Sequence, residues 1–261
     1  MRRLFVFSTL ILCAAAPAAA QFVAPGGAIP AVANNPGQND TFWRSDVSIF
    51  NLSTTDALVT LYLYPELRNA GPSFEFQTAG PYVIPGNGQL TLKNVLAAEF
   101  GLRNVKGGLQ VASDGPDVTL ASRTYTYDPE GGGSYGLNVY GHPVFSQTAW
   151  LANVEHDGLF RTNIGVFLPF GPPEGQPLTF TVTIRSDEGT EVASGSLEFD
   201  QAGLIQKSLD FFGVDDTLLD GSVTIRCSEP IALWYGYATV TDNTSGDSVY
   251  RAAIGEEASF K

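Results

Sequence analysis

Phe42-Trp43-Arg44-Ser45-Asp46-Val47-Ser48-Ile49-Phe50 recurs in the same chain as Leu159-Phe160-Arg161-Thr162-Asn163-Ile164-Gly165-Val166-Phe167. Each copy sets an aromatic, an Arg, a small hydroxyl residue and an Asp or Asn before apolar residues at every second position. Alternation of this kind is the signature of a strand buried on one face. Other landmarks follow at nearly one spacing: Gly221, Pro230 and Asp242 each stand 114 residues after Gly107, Pro116 and Asp128, and Gly213 stands 112 after Gly101. A chain with several such offsets reads as one unit written twice.

Working outward, the first copy continues through a turn at Leu52 to Asp56 into Ala57 to Tyr64, where Val59, Leu61 and Leu63 alternate with Leu58, Thr60 and Tyr62. Short strands bounded by turns are expected at Phe74 to Gln77, Tyr82 to Ile84, Gln89 to Leu92, Gly108 to Ala112, Val118 to Tyr127 and Tyr135 to Tyr140. Asn94 to Phe100 breaks the alternation with Leu96 and Phe100 at helical spacing, so one short helix is expected there, with Gly101 where it would end. The second copy repeats the order, with strands at Thr162 to Leu168, Leu178 to Arg185, Glu191 to Glu198, Leu204 to Ser208, Ser222 to Arg226, Ile231 to Thr241 and Ser248 to Ile254, and a short helix near Leu209 to Phe212. The fold class is therefore all-β, two tandem antiparallel immunoglobulin-like β-sandwich domains, each with one short helix. The expected division is residues 1–20, an export signal; 21–41, an extension whose Ala28 to Ala33 forms a short edge strand; 42–141, the first sandwich; and 142–261, the second.

The export signal rests on Arg2 and Arg3, the apolar run Leu4 to Ala16 and the small residues Ala18-Ala19-Ala20 before Gln21. The run is too short for a stable membrane span, and Leu12 before Cys13 is too large for lipoprotein processing. Without residues 1–20 the chain keeps 241 residues, with 12 basic against 27 acidic side chains, a net −15. That balance, without a Lys/Arg cluster, excludes nucleic acid as a partner. Only Cys227 remains besides the signal's cysteine, in phase with Val223 and Ile225, which makes it a core residue rather than a nucleophile.

The run Ile29-Pro30-Ala31-Val32 through Phe42-Trp43-Arg44-Ser45-Asp46, with Ser113-Asp114-Gly115-Pro116, Ser122-Arg123-Thr124-Tyr125 and Phe160-Arg161-Thr162-Asn163-Ile164-Gly165, resembles a group of secreted bacterial proteins with tandem immunoglobulin-like repeats. The resemblance implies surface or adhesion modules in shape and attaches no activity or binding residue.

Sites for chemistry are sparse. Gly246-Asp247-Ser248 resembles an esterase nucleophile block, but it follows both His142 and His156, so the partner order fails and a hairpin turn is the better reading. Two histidines cannot build a three-histidine zinc site. Asp242-Asn243-Thr244-Ser245-Gly246-Asp247, and Asp215-Asp216 with Asp220, offer oxygen ligands but match no defined calcium loop. No catalytic residue, cofactor or metal is expected. Arg44 and Arg161, present in both copies, read as structural donors to a neighbouring turn. Trp43 and Trp234 fall in phase with apolar neighbours. Trp150, with Tyr125, Tyr127, Tyr235, Tyr237, Tyr135 and Tyr140, occupies alternate strand positions near the join between copies, where core or domain-interface packing is the first reading and an exposed aromatic face that would bind a ligand is the second. The binding candidates are Trp150, Tyr125, Tyr127, Tyr235 and Tyr237. The expected function is an exported, non-enzymatic surface, adhesion or interaction module whose partner is a protein or an extracellular polysaccharide. The alternative is a carbohydrate-binding protein or an accessory to a secreted hydrolase.

Overall fold

The computed structural model describes residues 26–37, 40–68, 71–128, 131–141, 145–215, 217–230 and 232–257. The export signal, Cys13, His142 and Asp216 lie outside the described residues. The strands of the first copy are β1 (Gly26–Pro36), β2 (Phe42–Asn51), β3 (Ala57–Pro65), β4 (Leu67–Arg68), β5 (Gly71–Pro72), β6 (Gln77–Ile84), β7 (Gln89–Leu92), β8 (Val105–Asp114), β9 (Val118–Tyr127) and β10 (Ser134–Tyr140), with helix α1 (Val95–Ala98) after β7. Those of the second are β11 (Phe145–His156), β12 (Phe160–Leu168), β13 (Leu178–Arg185), β14 (Glu191–Phe199), β15 (Gly203–Ser208), β16 (Leu218–Cys227), β17 (Tyr235–Asp242), β18 (Ser248–Ala252) and β19 (Ile254–Glu257). The second short helix, Leu209–Phe212, is a single 3-10 turn ended by Gly213 at φ 83°.

The fold is all-β and sandwich-like, and its strand order repeats. In the first copy β6-β3-β8-β1 forms one layer and β7-β2-β9-β10 the other; in the second, β14-β13-β16-β11 and β15-β12-β17-β18 occupy the same places, with β19 added beyond β11. The two layers of the first copy are continuous. β1 pairs with β8 from Gly26↔Ala112 to Asn34↔Val105, then passes its end to β2 at Asn34↔Arg44 through Pro36↔Phe42. An edge strand is expected over Ala28 to Ala33; over those residues β1 pairs with β8 alone, and it runs on to Pro36, where its last three residues pair with β2. Its flanking Gly and Asn residues read as turn formers in isolation, and the ladder overrides that preference. Phe74 to Phe76 falls outside β6, which starts at Gln77.

Alternation makes the cores. β3 buries Ala57, Val59, Leu61 and Leu63, and β13 buries Leu178, Phe180, Val182 and Ile184 while Thr179, Thr181 and Thr183 point outward. One apolar cluster fills each copy: Val47, Ile49, Leu61, Leu109 and Val111 belong to the first, and Ile164, Val166, Phe180, Ile225 and Trp234 to the second. Trp234 is fully buried, edge-on to Phe180 at 5.1 Å, and Cys227 lies in the same core.

The recurring motif has a structural job in both copies. The Ser45 hydroxyl accepts from Ala33 N at 2.8 Å, and the Thr162 hydroxyl accepts from Glu155 N at 3.2 Å. Each ties the founding strand to the strand before it. Asp46 accepts from Lys93 Nζ at 2.7 Å and from Asn94 N at 2.9 Å, fixing the entry to α1.

A third cluster lies between the copies. Ala28 of the first packs with Phe167, Leu204, Tyr235 and Tyr237 of the second, flanked by Ala31, Tyr64 and Tyr250. Gly108 permits the closest approach: a Cβ there would lie 2.2 Å from the Phe167 ring. The Tyr64 ring tilts against Phe167 at 5.6 Å. The outer face of β6-β3-β8-β1 therefore meets the outer face of β15-β12-β17-β18.

Candidate functional site

The five aromatic candidates are divided among three places. Tyr235 and Tyr237 are buried in the join, where Tyr237 donates to Gln206 Oε1 at 2.8 Å and stacks on Tyr250 at 5.4 Å. Burial drives the Tyr235, Tyr237 and Tyr250 phenols well above their ordinary range. Trp150 is 46% exposed on the outer face of β11, beside Thr224 of β16 and Ile254 of β19. Tyr125 and Tyr127 project from β9 on the outer face of β7-β2-β9-β10. An aromatic surface spanning the join does not form, because the join consumes its second-copy half.

The face carrying Tyr125 and Tyr127 is a ladder of cations and rings. Outward positions of β2 supply Phe42, Arg44 and Asp46, and β9 supplies Arg123, Tyr125 and Tyr127. The Arg44 guanidinium lies 5.7 Å from the Phe42 centroid and 5.4 Å from that of Tyr127. Arg123 lies 4.9 Å from the Tyr125 centroid and donates to Ser134 Oγ at 2.8 Å. The two tyrosine rings meet edge to face at 5.6 Å, and Tyr127 is 55% exposed. Burial, then the hydrogen bond with Tyr127, raises the Tyr125 phenol. Guanidinium planes held over rings are pre-ordered, so a partner meeting them would have less side-chain entropy to remove.

Arg161 does what was expected of both arginines, donating to Asn243 Oδ1 at 2.6 Å in the β17–β18 turn. Arg44 does not follow it, and the ladders explain why. Arg161 pairs with Thr241, one residue before Asp242 at the head of its turn, whereas Arg44 pairs with Tyr125, three residues before the corresponding Asp128. The two-residue slip preserves which face each side chain occupies but leaves Arg44 short of its turn. It stacks on Tyr127 instead.

A cleft of about 480 Å³ opens beside the join, lined in part by Trp43, Lys106, Arg161, Asn163, Thr239 and Tyr250. Burial lowers the Arg161 pKa. Sequence reasoning missed this cleft. Gly108 and Gly165 inside strands signal only the join beside it, since a missing side chain there marks a close approach; a Cβ on Gly165 would lie 2.1 Å from the Tyr237 ring.

The remaining motifs resolve into local structure. Asp242 Oδ1 accepts from Thr244 N at 2.7 Å and Ser245 N at 2.9 Å, an Asx turn. The Ser248 hydroxyl pairs with that of Thr241 at 2.9 Å, and His156 Nε2 lies 3.0 Å from Asp210 Oδ1. Among the described residues no three His, Cys, Asp or Glu side chains gather as metal ligands, and no helix is long and apolar enough to cross a membrane.

No protein-family model matches the chain, and no curated protein matches it.

Proposed function

We propose that the chain is an exported, non-enzymatic interaction module of two immunoglobulin-like sandwiches, spanning residues 42–141 with the strand before them and 142–261, and that its binding surface is the Arg44–Arg123–Tyr125–Tyr127 face. One observation carries this reading: the same outer face is buried in the second copy, where it forms the join, and is open in the first, where it carries stacked cations and rings. The side chains on it are hydrogen-bonded or stacked in place, as a preformed recognition surface requires. A protein face fits it better than a sugar ring, because the Tyr127 ring already has Arg44 over it and Tyr125 against it.

Glycan recognition is the second reading, and the cleft favours it. Arg161, held by Asn243, and Lys106, ion-paired with Glu66 at 2.9 Å, line it together with Asn163 and Thr239, a fixed set of donors suited to hydroxyls. Native-gel migration of residues 21–261 through neutral and acidic polysaccharides, with and without calcium, separates the two. Retardation abolished by Arg161→Ala and kept in Tyr127→Ala moves recognition to the cleft. Retardation or partner binding lost in Tyr127→Ala supports the open face. Binding of any kind that is indifferent to Tyr127, Arg44 and Arg123 sinks the face as the binding surface.

A further inference from the structure

The join is head to tail. It brings together two different surfaces, the outer face of β6-β3-β8-β1 from one copy and that of β15-β12-β17-β18 from the other. Because both copies carry both kinds of face, every chain has one of each left over: the β14-β13-β16-β11 face at one end and the β7-β2-β9-β10 face at the other. A contact between unlike faces does not terminate itself; repeated between chains it gives a ring or a filament.

Ladder registers say which residues replace which. Ile29 pairs with Leu109 as Leu151 pairs with Val223, so Trp150 stands where Ala28 stands in the join. Tyr64 pairs with Gly108 as Arg185 pairs with Ser222, so Arg185 replaces Tyr64, and Asp220 replaces Lys106. On the other face Ala121 lies opposite Ser48 as Tyr237 lies opposite Gly165, and Thr119 lies opposite Phe50 as Tyr235 lies opposite Phe167.

The replacements compensate. Within the chain, small Ala28 and Gly108 receive large Tyr237 and Phe167. Between the leftover faces, large Trp150 would meet small Ala121 and Thr119. Arg185 would lie against the Phe50 ring as Tyr64 lies against Phe167. One charge changes sign: at the join Lys106, ion-paired with Glu66 at 2.9 Å, lines a cleft with Arg161, whereas their counterparts Asp220 and Arg44 have opposite signs. Trp150 and Ile254, neighbours on β11 and β19, are 46% and 77% exposed, an apolar pair on an otherwise Thr- and Ser-rich face.

We propose that the chain assembles with copies of itself, the Trp150 face of one chain seated on the Arg44–Ala121–Tyr127 face of the next in the manner of the internal join. The inference rests on the reading of that face as the binding surface and names its partner.

Sedimentation of residues 21–261 over a wide concentration range tests it. The wild-type mass should climb with concentration past that of two chains. Trp150→Asp removes one face and Ala121→Glu the other, so each alone should remain a single chain at every concentration, with circular dichroism reporting that both stay folded. Mixed, they should form two-chain complexes and nothing larger, because each supplies the one intact face the other lacks. As a second pair, Arg44→Glu and Asp220→Arg should each weaken association by at least tenfold, and combining them in one chain should restore it. A wild-type chain that stays single throughout overturns the proposal, as does a mixture that never pairs. If the chain stays single yet Tyr127→Ala still abolishes polysaccharide binding, only the self-assembly inference falls. If Tyr127→Ala changes no association at all, the reading of the face falls with it.

Discussion

Gly108→Ala is the sharpest probe of the join. The added Cβ would lie 2.2 Å from Phe167 Cδ2 and 2.3 Å from Cε2, against a comfortable carbon–carbon separation of about 3.5–4.0 Å. Ring or strand must therefore move by more than about 1 Å. The ring has little room to yield, since it is fully buried between Tyr64 at 5.6 Å and Tyr235 at 5.8 Å. Overpacking of this kind costs about 1–3 kcal/mol. Phe167→Ala alone, by emptying the same space, costs about 3–5 kcal/mol. In the double variant the methyl introduced in place of the Gly108 hydrogen occupies part of the vacated volume, so the total should not exceed that of Phe167→Ala by itself, a coupling of about 1–3 kcal/mol. Urea unfolding followed by tryptophan fluorescence on the wild type, both single variants and the double closes the cycle. Additivity within about 0.5 kcal/mol would show that Gly108 and Phe167 do not meet, and the join as described would be wrong.

Three further outcomes follow from particular contacts. The Tyr235, Tyr237 and Tyr250 phenols have raised pKa values in the fold, so their contribution is complete below the unfolded value of about 10 and is lost as pH rises beyond it; ultraviolet phenolate titration should find at least these three of the chain's ten tyrosines silent until alkaline unfolding, and free titration of all ten near the ordinary phenol value would refute their burial. Ser45→Ala and Thr162→Ala each remove a side-chain hydrogen bond to the preceding strand, and each should cost about 1 kcal/mol in urea unfolding; a cost confined to one copy would undo their equivalence. Hydrogen bonds from His156 and then Ser208 lower the Asp210 pKa, so its contribution holds above the unfolded value of about 3.9 and fades as pH falls through the lower folded value. Asp210→Asn should flatten the acid limb of the stability profile by a small amount, as befits an exposed carboxylate, and an unchanged limb would refute the pairing.

Inward-facing residues made the fold legible. Val59, Leu61 and Leu63, or Phe180, Val182 and Ile184, alternate because each faces the core of its own sandwich, a constraint that acts within a few residues and survives in the sequence. β1 was harder, since Gly26, Gly27, Asn34 and Asn35 lie in a ladder that only the completed sheet supplies. The site was legible in residue type and not in place. Tyr125 and Tyr127 share an alternating pattern with Tyr235 and Tyr237, and nothing local distinguishes a ring that faces water from one that faces the other copy. Arg44 and Arg161 are identical in motif yet diverge because of a two-residue slip in a neighbouring strand, a property of pairing rather than of either stretch.

Duplication turns that difficulty into information. Both sandwiches must keep their inward residues, so the outward residues are where the two copies are at liberty to differ, and each difference can be set against the surroundings it has. Gly165 stands where the first copy has Ser48, and a side chain there would strike Tyr237; the loss of the side chain belongs to the join. Trp150 stands where the other copy has Ala28, with no counterpart of the join above it, so packing within the chain gives no reason for so large a ring. Small Ala28 in the join gives way to Trp150 on one open face, and large Tyr237 gives way to Ala121 on the other, a paired exchange that surfaces kept for each other would carry. On that argument the side chains that decide what this protein does are Trp150 and Asp220 at one end and Arg44, Ala121 and Tyr127 at the other.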